Sequence, residues 1–144
     1  MSKAVLALLV LAACASVDLP ADLPEVTLYK GAQCGCCEGY GSYLEQQGFT
    51  VNVKDMADLS PIKKQYGIPG NMQSCHTTIM GDYFVEGHVP IEAIAKLLNE
   101  KPDIAGIMLP NMPSASPGMP GRKTEVWIIS SLDKNGIVKE FMQI

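Results

Sequence analysis

The chain has 144 residues, 47% of them hydrophobic and 18% charged, with a net charge of −4 and a pI near 5.1. This length and apolar content predict one folded domain with a modest core and exclude a disordered chain. The acidic balance excludes a basic nucleic-acid-binding footprint.

Residues 1–15 read MSKAVLALLVLAACA, with one positive charge at Lys3 and an apolar run from Ala4 to Ala13. The run is shorter than the ~20 residues that span a bilayer, and it fits the apolar stretch of an export signal. Leu11-Ala12-Ala13-Cys14 is similar to the lipobox of bacterial lipoproteins, which would make Cys14 a lipidation site and the only link to a membrane. The alternative is cleavage after Ala13-Cys14-Ala15, an A-x-A pattern. The chain holds five Cys. Lipidation or removal of Cys14 leaves Cys34, Cys36, Cys37 and Cys75, and export places them in an oxidising compartment, the periplasm or cell envelope.

Residues 16–24, with Pro20 and Pro24, read as a tether. Glu25–Lys30 reads as a strand, residues 31–35 as a turn, and Cys36–Gln47 as a helix with Cys37, Tyr40 and Leu44 along one face. Gly39 and Gly41 weaken that helix by about 1 kcal/mol each relative to Ala. Phe49, Val51 and Val53 alternate with polar residues as a second strand. Ser60-Pro61 opens a short helix to about Tyr66, followed by a loop over 67–70. Thr77–Met80 and Tyr83–Glu86 form a hairpin around Gly81-Asp82. Pro90 then opens a helix ending near Glu100. This β-α-β-α-β-β-α order predicts an α/β sandwich with a mixed sheet over residues 25–101. Residues 102–121 contain five Pro, three Gly and three Met and show no periodicity, so they read as one long functional loop. Glu125–Ser131 and Ile137–Gln143 read as a hairpin about Asp133–Gly136. Residues 102–144 are thus a C-terminal extension.

The chemistry is concentrated in Cys34-Gly35-Cys36-Cys37, between a strand and the start of a helix. Backbone N–H groups and the helix dipole there favour thiolate, the form that attacks disulfides and binds metals. A Cys36–Cys37 bridge would be strained, so a stabilising disulfide between those two neighbours is not expected. Cys75-His76 precedes one hairpin strand and His88 follows the other, and these are the only two His in the chain. Met119 lies in Pro-Gly-Met-Pro-Gly, where its neighbours force a loop, so its thioether is a candidate soft ligand or lid. Met108 and Met112 are weaker candidates of the same kind. Met72, Met80 and Met142 read as core or surface. Zinc commonly uses paired C-x2-C knuckles, and only one such pair is present here. Crowded thiolates with a His suit a small copper–thiolate cluster better, since Cu(I) favours soft sulfur ligands.

The segments VTLYKGAQCGCCEGY and GIPGNMQSCHTTIMGDYFVEGHVPIEAIAKLLNEKPDIAGIMLPNMPSASPGMPG closely resemble the periplasmic copper-resistance proteins of the CopG family. The resemblance runs over roughly residues 25–143, with C-x-C-C, S-C-H-T, E-G-H-V-P and S-P-G-M in family order. It implies a thioredoxin-like domain whose C-terminal extension helps bind metal. It also implies a cysteine-bridged, multinuclear copper cluster that interconverts Cu(I) and Cu(II) in copper detoxification and export, with copper ions and a copper efflux system as partners. Carried over by motif, Cys34, Cys36 and Cys37 are cluster thiolates, Cys75 and His88 their partners from the hairpin, and His76 and Met119 weaker transfers. Ser74-Cys75-His76-Thr77 stands where ordinary thioredoxins place a proline, which shifts weight from disulfide exchange towards metal. Two other functions stay open: a thiol–disulfide oxidoreductase using Cys34 and Cys37, and a non-catalytic copper store or chaperone.

Overall fold

The computed structural model describes residues 17–144, so the export signal read over 1–15 and the lipidation site Cys14 lie outside the described residues. These residues form strands β1 (Val26–Gly31), β2 (Val51–Met56), β3 (His76–Met80), β4 (Tyr83–Gly87), β5 (Gly106–Leu109), β6 (Ile128–Leu132) and β7 (Val138–Gln143). The helices are α1 (Gly35–Gln46), α2 (Ser60–Gln65) and α3 (Ile91–Glu100). The strands build one mixed sheet in the order β2-β1-β3-β4-β5-β6-β7. β1 pairs parallel with β2, and β4 with β5, while the remaining neighbours are antiparallel. The element order expected over residues 25–101 is observed.

Each helix packs through the stripe its sequence offers. Cys37, Tyr40, Gly41 and Leu44 are buried on α1, spaced at one helical face. Ile91, Ile94, Ala95 and Leu98 do the same on α3, joined by Ala93 and Leu97. Strand alternation divides the sheet's apolar residues between its two faces. Val85, Ile107 and Ile129 enter a large cluster with Leu28, Tyr40, Leu44, Ile94 and Leu97. Phe84, Met108 and Leu132 join Ile68 in a smaller one. α2 starts one residue earlier in role than expected. Ser60 is its first residue, and Asp58 Oδ1 accepts the Ser60 N–H at 2.9 Å.

The long loop expected over 102–121 needs correction. Residues 106–109 form β5, which lies between β4 and β6, so the sheet continues into the C-terminal segment. All four residues of β5 are buried, and Met108 is a core side chain rather than a candidate ligand. A four-residue buried strand with a glycine at its head has no alternation to betray it. The C-terminal hairpin is present but shorter than expected in its first strand, which starts at Ile128. Asp133 Oδ1 accepts the N–H groups of Asn135 and Ile137 at 2.8 and 2.9 Å and closes its turn.

Gly106 faces the Phe84 carbonyl and ring so closely that a Cβ there would overlap both. We expect Gly106→Ala to force β4 and β5 apart and cost about 2–3 kcal/mol, an ordinary penalty for overpacking. A urea unfolding midpoint unchanged from the parent would refute this.

Candidate metal centre

The sheet topology brings three chain segments to one end. β1 runs into the Cys34–Cys37 turn; β3 is antiparallel to β1, with His76 opposite Lys30, so Cys75 lies beside that turn. β4 is antiparallel to β3 and ends at Gly87, so His88 emerges at the same place. Cys34 is the residue flanking the N-terminus of α1, with extended backbone, and its N–H closes a turn to the Gly31 carbonyl at 3.0 Å.

The four sulfurs form a compact group. Cys34 and Cys37 are bonded to each other as a disulfide, and Cys36 and Cys75 are free thiols. Cys75 Sγ lies 3.4 Å from Cys37 Sγ and 3.7 Å from Cys36 Sγ, and Cys36 Sγ lies 3.5 Å from Cys34 Sγ. Cys75 also meets both imidazoles, at 3.5 Å from His76 Nδ1 and 3.7 Å from His88 Nε2. Two donor groups therefore overlap, Cys34-Cys36-Cys37-Cys75 and Cys75-His76-His88, with the donor atoms of each group within 4.8 Å of one another.

The imidazole tautomers follow from their other partners. His76 Nε2 lies 3.1 Å from the Gly87 carbonyl, and His88 Nδ1 lies 2.6 Å from the Pro117 carbonyl. A carbonyl only accepts, so each of those nitrogens carries the proton. The nitrogens facing Cys75 are left with lone pairs, the arrangement that orients a ligating histidine. Burial pushes the His76 pKa down to about 3, with neighbouring His88 adding to the effect. Burial also lowers that of His88, against its bond to Pro117. Both rings are thus neutral near pH 7. Burial, and then the adjacent Cys36, push the Cys75 thiol up to about 11. Metal entering here displaces a proton from Cys75.

The C-terminal segment covers the centre. Gly118 adopts φ +81°, and a Cβ on it would lie 2.9 Å from the Cys36 carbonyl and 2.7 Å from the Tyr40 amide nitrogen. Gly39 faces the Gly118 backbone in return, with a Cβ reaching 3.3 Å from it. The glycine that weakens α1 is there for close approach, a role its sequence context did not reveal. Tyr40 packs under the rings, 4.7 Å from His76 and 5.5 Å from His88 between centroids, and donates to the Val89 carbonyl at 3.0 Å. Met119 follows Gly118, half-buried, with its N–H on the Ser116 carbonyl at 2.8 Å. Met112 is half-buried with φ +45°. Sequence reasoning also missed Lys63 and Glu86, which form a buried ion pair behind Cys75; isolated charges in short elements carry no periodic signal.

A small mixed α/β protein with a partly buried cysteine–histidine cluster able to hold metal is the class these features define. Two solved structures bear the same arrangement of chain. "Copper resistance protein copG- Form 2" is 35% identical, covers 85% of this chain and 99% of its own, and superposes with a TM-score of 0.79. "Copper resistance protein copG- Form 1" is also 35% identical, covers 85% and 98%, and gives 0.78. Residues 72–119 match a family model described as "Protein of unknown function, DUF411". No curated protein matches the chain. The chain belongs to the CopG family of copper-resistance proteins.

The depressed histidine pKa values carry a pH signature for the metal-free protein. Above the unfolded value of about 6.5, the stability tied to a neutral His76 is fully present. As pH falls from there towards about 3, the unfolded chain binds a proton that folded His76 refuses. Stability should drop by about 1.4 kcal/mol per pH unit from this residue. Urea unfolding at about pH 7 and pH 5 should show a loss near 2 kcal/mol, reduced in His76→Gln. Equal slopes in parent and variant would refute the assignment.

Proposed function

We propose that the protein binds copper as a thiolate-bridged, multinuclear cluster held by Cys34, Cys36, Cys37, Cys75 and His88, with His76 and Met119 as further ligands. The observation that carries this reading is the position of Cys75, whose sulfur is shared by the two donor groups. A shared thiolate joins metal ions, and soft sulfur with imidazole favours copper over hard cations. Residues 25–101 act as a thioredoxin-like unit, which the strand order β2-β1-β3-β4 with parallel β1 and β2 supports. Residues 102–144 act as the extension that closes the centre, supported by the Pro117 carbonyl on His88. The export-type N-terminus supports a periplasmic location, with Cys14 as the anchor where it is lipidated. Copper efflux proteins are the partners this location suggests.

The copper chemistry we propose is interconversion of Cu(I) and Cu(II). Oxidation of the Cys34 and Cys37 thiols to their disulfide releases two electrons and two protons, and two Cu(II) ions take up one electron each to become Cu(I); while that disulfide is closed, Cys36, Cys75 and His88 are the donors that retain the metal. The Cys34–Cys37 pairing supports that step, because it is the product state. The same pairing favours a second reading, thiol–disulfide exchange with other proteins, in which Cys34 and Cys37 cycle without metal.

Fully reduced protein titrated with Cu(I) without oxygen should bind more than one equivalent, and Cys36→Ser and Cys75→Ser should each lower the stoichiometry. Copper content unchanged in both variants would sink the cluster. Reduced protein given Cu(II) should form two Cu(I) for each Cys34–Cys37 disulfide. Absence of that reduction leaves a passive store, and brisk insulin reduction by metal-free protein would favour disulfide exchange instead.

A further inference from the structure

Behind Cys75 lies a ring of buried polar groups that the metal chemistry above does not use. Lys63 on α2, Thr77 on β3 and Glu86 on β4 are 4%, 0% and 0% exposed. Lys63 Nζ pairs with Glu86 Oε1 and donates to Thr77 Oγ1 at 3.0 Å. The Thr77 hydroxyl donates to Glu86 Oε2 at 2.6 Å. Glu86 Oε1 also accepts the backbone N–H of Ser74 at 2.6 Å.

A buried ion pair is a poor device for stability, because removing both charges from water costs about what their attraction returns. Apolar side chains of similar size would do as well or better. What they would not do is accept the Ser74 N–H. That bond fixes the bend immediately before Cys75. The carboxylate thereby ties the segment carrying Cys75 and His76 to the strand that ends in His88. Lys63 and Thr77 occupy the rest of Glu86 and hold its carboxylate in place.

We propose that Glu86 is the positioning residue for Cys75. Clamped by Lys63 and Thr77, it holds the Ser74–Cys75 bend so that Sγ faces the Cys34–Cys37 turn. The assignment rests on the copper reading for its purpose, but the placement of Cys75 can be read out without metal.

The test is the double substitution Lys63→Met with Glu86→Leu, which fills the space without charge. Should that pair not fold, Glu86→Asp keeps a charge opposite Lys63 but draws the carboxylate back by one methylene. Folded variants, confirmed by thermal melting, are compared with the parent in two ways. One is Cu(I) affinity by competition with bicinchoninate. The other is the alkylation rate of Cys75 by iodoacetamide, resolved by peptide mass spectrometry, in metal-free protein with the Cys34–Cys37 disulfide closed. Cys36 in the same molecule is the internal reference, since general loosening moves both thiols. We expect Cu(I) affinity to fall about 10- to 100-fold, as for other outer-shell partners. The Cys75-to-Cys36 rate ratio should rise several-fold. A rate ratio within twofold of the parent overturns the proposal whatever the affinity does, and so does a raised ratio with unchanged affinity in a parent that binds Cu(I). A parent that binds no Cu(I) removes the copper reading, and the rate ratio alone then decides the positioning.

Discussion

The pairing of β1 with β3 decides where the chemistry can occur. Lys30 opposes His76 across an antiparallel ladder, so the residues leaving β1 and the residue entering β3 share one end of the sheet. The sulfurs of Cys37 and Cys75, 38 positions apart, come within 3.4 Å through that register. A slip by one residue would turn the β3 side chains to the opposite face and part Cys75 from the Cys34–Cys37 turn. Alternating burial along β1, with Val26 and Leu28 wholly enclosed, makes such a slip costly, at roughly 1.5–3 kcal/mol for each apolar side chain exposed. Core packing and donor placement are therefore the same constraint seen from two sides.

That enclosure also sets the protonation of the donors. Withdrawal from water opposes charge, so it keeps His76 and His88 neutral and Cys75 protonated. The neutral rings are ready to bind, and their proton-bearing nitrogens are committed to the Gly87 and Pro117 carbonyls. Cys75 is not ready, since it must lose a proton first. The centre thus holds its donors in place without a cation to balance them, and an entering metal supplies the missing charge.

Much of this was legible in the residues, for identifiable reasons. The crowded thiols between a strand and a helix, and the two histidines at the ends of one hairpin, are local patterns. Helix and strand periodicities placed them on the right elements. β5 was not legible, because a short, wholly buried strand lacks alternation and sits among prolines and glycines that signal a loop. Gly39 was visible only as a flaw in α1, since its purpose depends on Gly118, far along the chain. Lys63 and Glu86 drew no notice because nothing local distinguishes a charge that folding will bury. In each case the missing information is a contact between distant segments.

The Gly39–Gly118 contact sets the loop after β5 against α1 and His88. β5 runs parallel to β4 and so ends where His88 emerges, which delivers the following loop to the thiol end of the molecule. The two glycines let that loop lie directly on the first turns of α1, and the Pro117 carbonyl, one residue before Gly118, reaches His88. A bulkier residue at either position would lift the loop by the width of a methyl group. The His88 proton would lose its acceptor, and the ring would be free to turn its lone pair away from Cys75. The added strand therefore does for His88 what the β1–β3 register does for Cys75, aiming a donor that the first hundred residues alone leave unheld.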